Sequence, residues 1–283
     1  MIRVLSVFLL TLLVFWASRQ LPRPAAGSEN YKASTNAFLL DHRPPLHATS
    51  ETDPELSVWL STPVDRSQFD LTALYREDRH QGDFRAVGLI GKIGSPDRFQ
   101  CTLPRHPKGA ELYYHLELRD ESKALLARLP QESDREIALR FEGEPSLELY
   151  VANIGLLFLT MLFGFLALFD TFALRSDNLR LRNLSRKVVI ATLFLIAGGI
   201  VTGALVMQSR YDYLWRGWPL GENLQQTLLL PLLIYWVFLI VVFKGTIFRF
   251  QPEKNIVSAN GATLLTLLGV FFMLLTYLVG AAW

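Results

Sequence analysis

Three residues with reactive or hydrogen-bonding side chains sit in or beside one long apolar run: Glu148, Asn153 and Asp170. An ionisable group in such surroundings is costly unless a cation compensates it, and by default it marks a transport or proton path. Asp170 is the main candidate, and Arg175, a turn or so further on, is expected to pair with it at an interface. Glu148 borders the other end of the run, close to Tyr150. Asn153 is the amide well inside it and is expected to hydrogen-bond a neighbouring helix. A second concentration of chemistry is the loop from Tyr211 to Asn223, YDYLWRGWPLGEN. Its Trp215, Arg216, Gly217, Trp218, Pro219 and Gly221 combine two indoles, a guanidinium that can stack on Trp215 or Trp218, and a turn set by Pro and Gly. Two readings stay open. The loop is an aromatic belt at a membrane interface, or a structured cap that faces a β-domain, a partner or a ligand.

Other chemistries lack their residues. The five histidines, His42, His47, His80, His106 and His115, all precede the long apolar runs. Membrane haem takes axial histidines from the helices, so no cofactor is expected. The histidines read as surface residues, with His42 and His47 in a linker. The one cysteine, Cys101, forms no internal disulfide and supports no cysteine-based zinc site. It is expected to be a small buried residue on a strand. There is no Walker loop and no GxSxG elbow, so the balance leans away from an enzyme. The formal net charge is +2 and the basic residues do not gather on one soluble face, which excludes nucleic acid.

The elements that must position these groups follow from hydropathy. Residues 22–148 carry charges throughout, whereas 149–283 consist of apolar runs separated by short charged loops. Four runs, 149–169, 188–207, 224–243 and 261–283, have the roughly 20 residues a bilayer core demands. In lipid the backbone must satisfy itself, so they are expected to be helices in a four-helix transmembrane bundle. The loop after the first run is rich in Arg and Lys (Arg175, Arg180, Arg182, Arg186, Lys187), as is the loop after the third (Lys244, Arg249, Lys254). The positive-inside rule places both in the cytoplasm. Gly199 and Gly203 make a GxxxG spacing, read as packing inside the bundle or as a contact with another subunit. Residues 1–21, with Arg3 before the apolar run Val4–Trp16, are either a cleaved signal peptide or an uncleaved anchor. Both place the following domain and the C-terminus in the periplasm of a bacterial inner membrane.

Between the anchor and the bundle, residues 22–50 are rich in Pro, Ala, Ser and Asn and read as a linker. Residues 51–147 hold about seven short alternating runs broken by turns, the pattern of an all-β, Ig-like sandwich. Glu55–Ser61, Leu71–Tyr75, Phe84–Lys92, Arg98–Leu103, Glu111–Arg119, Ala124–Leu129 and Glu136–Phe141 are the expected strands. The fold class is therefore mixed.

Two resemblances refine this. Leu74-Tyr75-Arg76, Leu103-Pro104, Pro107-Lys108-Gly109, Tyr113-Tyr114, Asp120 and Leu129-Pro130 give the segment Leu71 to Pro130 the look of immunoglobulin-like or fibronectin-III-like domains of bacterial envelope proteins. Trp215-Arg216-Gly217-Trp218-Pro219-Leu220-Gly221 resembles the W-x-G-W-P-F-G loop of a family of bacterial inner-membrane proteins with an exported sandwich and a helical bundle. In that family T-D-N-K-T commonly follows, where this chain has Gln225-Gln226-Thr227, and a histidine stands where this chain has Asn153. The resemblance implies a layout and carries no activity. The expected function is a non-enzymatic envelope scaffold or accessory subunit. Its partners are the lipid bilayer and a protein met through the exported domain or the GxxxG face. A quinone- or tetrapyrrole-associated redox protein, with its ligand under the Trp loop, is the first alternative. A small transporter using Asp170 or Glu148 is the second.

Overall fold

The computed structural model describes residues 2–20, 30–45, 47–63, 68–79, 82–172, 178–217, 223–247, 251 and 254–281. The chain forms two compact units. One comprises Met1–Pro24, Pro145–Gln208 and Tyr213–Trp283, and the other Ala25–Glu144 with Ser209–Asp212.

The second unit is built of strands. In chain order they are β1 (Tyr31–Ser34), β2 (Leu39–His42), β3 (Ala48–Thr49), β4 (Glu55–Ser61), β5 (Phe69–Arg76) and β6 (Arg85–Gly88). β7 (Ile90–Lys92), β8 (Ser95–Thr102), β9 (Glu111–Asp120), β10 (Leu125–Leu129) and β11 (Ile137–Glu142) complete the set. One sheet runs β1-β2-β4-β8-β7, and the other β3-β11-β9-β5-β6 with β10 also paired to β9. Side chains alternate across a strand, and the sequence uses that period. Leu56, Val58 and Leu60 of β4 are fully buried, as are Leu112, Tyr114, Leu116 and Leu118 of β9. With Leu71, Ala73, Leu139 and Phe141 they form a single core shared by both sheets. A fully buried leucine contributes roughly 1.5–3 kcal/mol.

Residues 31–49 correct the sequence reading of 22–50 as a linker, because they carry three strands. These strands are two to four residues long and owe their conformation to their neighbours. β2 pairs with β4 from Leu39↔Ser61 to His42↔Val58, and β3 runs parallel to β11 at Phe141↔Ala48. The run Phe84–Lys92 is split into β6 and β7, which join different sheets. Residues 209–212 lie on the same β unit: the Gly143 N–H donates to the Arg210 carbonyl at 2.8 Å, and the Tyr211 hydroxyl donates to Glu142 at 2.9 Å.

The other unit is helical: α1 (Ile2–Gln20), α2 (Leu147–Thr171), α3 (Asn178–Leu195), a π-helical stretch Ile196–Thr202, α4 (Gly203–Tyr211), α5 (Leu224–Val242), the single turn α6 (Lys244–Ile247) and α7 (Ala259–Ala281). Ser146 caps α2 by accepting from the Leu149 N–H at 3.3 Å. Among the described residues three helices are long and apolar enough to cross a membrane: Leu147–Thr171, Leu181–Tyr211 and Asn260–Leu278. That is one fewer than the four expected. Two further apolar stretches, Arg3–Ser18 of α1 and Gln226–Val242 of α5, the latter at the third expected position, are shorter. α2 touches α1, α3, the π stretch and α7. Its Gly164 lets the Met273 side chain and the Trp236 ring close over the backbone, where a Cβ would stand 2.7 Å from Met273 Cε.

Candidate functional site

Asp170, in the last turn of α2, is buried to 4% exposure. Two cations from other helices meet it: Arg3 of α1 donates from a terminal guanidinium nitrogen to Oδ1 at 2.6 Å, and Lys187 Nζ of α3 donates to Oδ2. Each carboxylate oxygen thus has its own charged donor, which compensates a buried acid. The expected partner, Arg175, lies outside the described residues. Arg3 and Lys187 were missed because one sits 167 positions away and the other belonged to a loop judged only by its net charge. α1 reaches this point along a continuous seam. Val7 and Thr11 are fully buried, and the Phe8 and Phe15 rings meet Phe158 of α2 edge-on at 5.6 and 5.9 Å.

Glu148 is exposed in the first turn of α2, where a carboxylate favours the helix N-terminus. It lies 22 residues from Asp170, about 33 Å along the helix axis. The two acids therefore do not form one site. Asn153 does bridge helices as expected: its amide donates to the Gly198 carbonyl at 2.7 Å and to Thr202 Oγ1 at 3.1 Å. Both acceptors belong to the π stretch. There the wider turn changes the backbone pairing, and Gly198 O takes bonds from Thr202 Oγ1 and the Gly203 N–H as well. The sequence showed the amide but not the π turn it serves. Of the GxxxG pair, Gly199 abuts Leu229 of α5, whereas a Cβ on Gly203 would meet the Gly198 carbonyl oxygen within its own helical run at 3.3 Å and, from another helix, Asn153 Nδ2 only at 3.8 Å. The closest helix approach falls instead on Gly198, where a Cβ would stand 2.8 Å from Leu156 Cβ and 3.1 Å from Leu157 N of α2.

The aromatic loop is organised by a residue that the sequence reading passed over. Gln226, in the first turn of α5 and 4% exposed, accepts from the Arg216 N–H through Oε1 at 2.7 Å and donates to the Leu214 carbonyl at 3.2 Å. Asn223 caps α5 by accepting from the Gln226 N–H at 3.0 Å, while its own N–H donates to the Arg216 carbonyl at 2.9 Å. Gly217 packs against this turn, and a Cβ there would stand 2.7 Å from Gln226 C. The Arg216 guanidinium lies over the Tyr213 ring at 4.2 Å, an aromatic partner within the same loop. Trp218, Pro219 and Gly221 lie outside the described residues.

Among the described residues of the β unit two histidines are buried, which corrects their reading as surface residues, while His80 lies outside the described residues. His42 is fully buried on β2, and His115 is 5% exposed on β9. The Ser57 carbonyl, 2.9 Å from His42 Nδ1, can only accept, so Nδ1 carries the proton. Nε2 then accepts from the Tyr114 hydroxyl at 2.8 Å. Burial pushes the His42 pKa down, partly opposed by the Ser57 carbonyl and Asp41. Burial, and after it the Arg128 charge, lowers that of His115. Cys101 is buried on β8 as expected, and burial raises its thiol to about 11. Among the described residues no group of three or more His, Cys, Asp or Glu side chains is placed to hold a metal.

No protein-family model matches the sequence, and no curated protein matches it. A solved structure titled pT26-6p aligns with 87% of this chain and 46% of its own length, at 10% identity and a TM-score of 0.24. At that score the likeness carries no argument about fold or function.

Proposed function

We propose that the chain is a membrane-anchored binding protein of the bacterial envelope. In this reading the β unit is an exported Ig-like sandwich that recognises a partner, and the helices are its anchor and docking base. One observation carries the reading: the strand order. The path β2-β4-β8-β7 follows the A-B-E-D order of an immunoglobulin-type sandwich, and β3-β11-β9-β5-β6 follows A′-G-F-C-C′, with β3 parallel to β11 as an A′ strand is to G. Such sandwiches bind or space more often than they catalyse.

The anchor in this proposal has five crossings: α1, α2, the continuous α3–α4 helix, α5 and α7. At 19 residues each, α1 and α5 reach about 28 Å, close to the hydrocarbon thickness. With Arg3 in the cytoplasm, alternation returns the end of α2 and the start of α3 to the same side. Asp170 in the last turn of α2 meets Arg3 from the start of α1 and Lys187 from partway along α3. The agreement supports α1 as a retained helix, and it supports the periplasmic placement of the β unit.

The test is in-cell crosslinking of the tagged full-length protein, followed by extraction in mild detergent, native mass measurement and mapping of the crosslinks. A defined complex crosslinked through residues 25–144 is expected. A lone species without crosslinks to the β unit overturns the reading.

A further inference from the structure

Alternation along β4 turns Leu56, Val58 and Leu60 inward and Glu55, Ser57, Trp59 and Ser61 outward. Trp59 is the misfit, a large apolar ring on the polar phase of the strand, 52% exposed. Scattered exposed apolar residues need no explanation, but this ring does not stand alone. It lines a cleft of about 410 Å³ together with Asn30, Asp41, Arg43 and Ser57. That volume is within the roughly 300–1,000 Å³ range of small-molecule sites. Register explains the assembly. Asp41 of β2 lies directly opposite Trp59 on one side and Arg98 of β8 on the other. The sheet thus sets an indole between a carboxylate and a guanidinium, with an amide, a hydroxyl and a second guanidinium nearby.

We infer that this cleft binds a saccharide. A pyranose ring offers a face of C–H groups that packs on an indole, and a rim of hydroxyls that both donate and accept. The cleft supplies the matching set: Trp59 as the platform, the Asp41 carboxylate as acceptor, the Arg43 guanidinium as donor, and Asn30 and Ser57 as both. Asp41 is held ready by Lys32 Nζ at 3.1 Å, and Ser57 Oγ accepts from the Arg98 guanidinium at 3.1 Å. A purely apolar ligand would leave these polar groups desolvated and unpaired, and a flat protein surface would not fill the concavity. The inference rests on the proposed export of the β unit and names the chemistry of what that unit meets.

The experiment uses the full-length protein in a sugar-free zwitterionic detergent, because a maltoside would compete. The probes are immobilised cello-, chito-, malto- and manno-oligosaccharides, oligogalacturonate and the peptidoglycan disaccharide. Wild type is expected to bind one of these classes, with Trp59→Ala and Asp41→Ala each weakening binding by about tenfold or more. Trp59→Phe keeps a ring on the same exposed position and is expected to retain most of the affinity, which separates platform loss from misfolding. Binding undiminished in Trp59→Ala, or no binding to any of these probes, overturns the inference. If the crosslinking above yields a protein complex through the β unit while every glycan fails, the saccharide site falls and the binding-module reading stands.

Discussion

The His42 imidazole on β2 and the Tyr114 hydroxyl on β9, 2.8 Å apart, form a buried hydrogen bond between the two sheets. It crosses a core that is otherwise apolar, in a domain with no disulfide. Because Ser57 holds Nδ1 as the donor, His42 is neutral in the folded state, and its lowered pKa makes the unfolded chain the better proton acceptor. The contribution is fully present above the ordinary histidine value of about 6.5 and is lost as pH falls through the folded value. His115, also lowered, acts in the same direction. The protection of amides in β2, β4 and β9 of the full-length protein, measured against their intrinsic exchange rate at each pH, should therefore fall as pH drops below about 6.5 and plateau above it. His42→Gln should flatten that dependence without abolishing it.

Tyr114→Phe isolates the hydrogen bond from the titration. It removes the hydroxyl, keeps the ring and leaves Nε2 buried without its donor. A cost of about 1–3 kcal/mol is expected, read as a loss of exchange protection in the same strands at pH 8. Unchanged protection would mean that the two sheets hold together without this bond.

Much of the β unit was legible because its strands obey a clean period of two. Glu55–Ser61 was bounded to the residue, and Glu111–Arg119 to within one. β1, β2 and β3 were not legible, because two to four residues flanked by Pro44, Pro45 and Asn36 show no period. The information that makes them strands lies in β4 and β11, far along the chain. His42 was lost with them. Trp59 did leave a signal, since an indole on the polar phase of a strand breaks the pattern that predicted the strand. In the helical unit the charge of Asp170 was visible but its partners were not, because nothing in an apolar run states which helix will lie beside it. Gln226 was written off as a departure from a resembling motif, although a glutamine in the first turn of a helix is well placed to bind the preceding loop.

The ion triad predicts an asymmetry among its members. Asp170 is 6% exposed at its side chain, whereas Arg3 is 41% and Lys187 25% exposed. Losing one cation leaves the carboxylate paired with the other. The remaining, partly exposed pair is screened, so Arg3→Gln or Lys187→Met alone should cost only about 1 kcal/mol. The double variant strands a buried charge and should cost more than the sum, about 3 kcal/mol or above. Adding Asp170→Asn to the double variant should restore part of the loss. Thermal unfolding in detergent checks all four, and a simply additive double variant would mean that Asp170 is solvated without its partners.

Two glycines of the β unit are predicted to be irreplaceable for contact geometry. Gly109 has a φ of +83°, and a Cβ there would stand 2.1 Å from the Tyr211 carbonyl oxygen. A Cβ on Gly143 would stand 2.4 Å from the Ser209 carbonyl oxygen. Both obstacles are backbone and cannot rotate away. Gly109→Ala and Gly143→Ala should each expose residues 209–212, seen as faster exchange at Arg210 and Tyr211 and as loss of the 2.9 Å Tyr211–Glu142 hydrogen bond. Gly82, also at positive φ (+105°) but with nothing within 4 Å of a Cβ, should tolerate Ala with only the local strain of about 1 kcal/mol.

The last prediction separates the small-residue spacing from the contact it suggested. If Gly199 and Gly203 were the seam, alanine at either should force helices apart. The geometry points elsewhere. A methyl at Gly203 meets nothing of another helix closer than Asn153 Nδ2 at 3.8 Å, and at Gly199 it meets the flexible end of Leu229 at 3.1 Å. At Gly198 it meets Leu156 Cβ at 2.8 Å and the Leu157 backbone nitrogen at 3.1 Å, so α2 itself must move. Gly198→Ala should therefore destabilise the helical unit by about 1–3 kcal/mol, the cost of overpacking, with Gly199→Ala smaller. Any shift of α2 would also stretch the 2.7 Å bond from Asn153 to the Gly198 carbonyl. The bond and the contact therefore fail together, and Asn153→Leu combined with Gly198→Ala should cost less than the two separate losses added. Gly203→Ala should be close to neutral, or slightly stabilising from alanine's higher helix propensity. Thermal unfolding of the five variants in one detergent decides it, and a Gly203→Ala variant that loses as much as Gly198→Ala would return the seam to the GxxxG face.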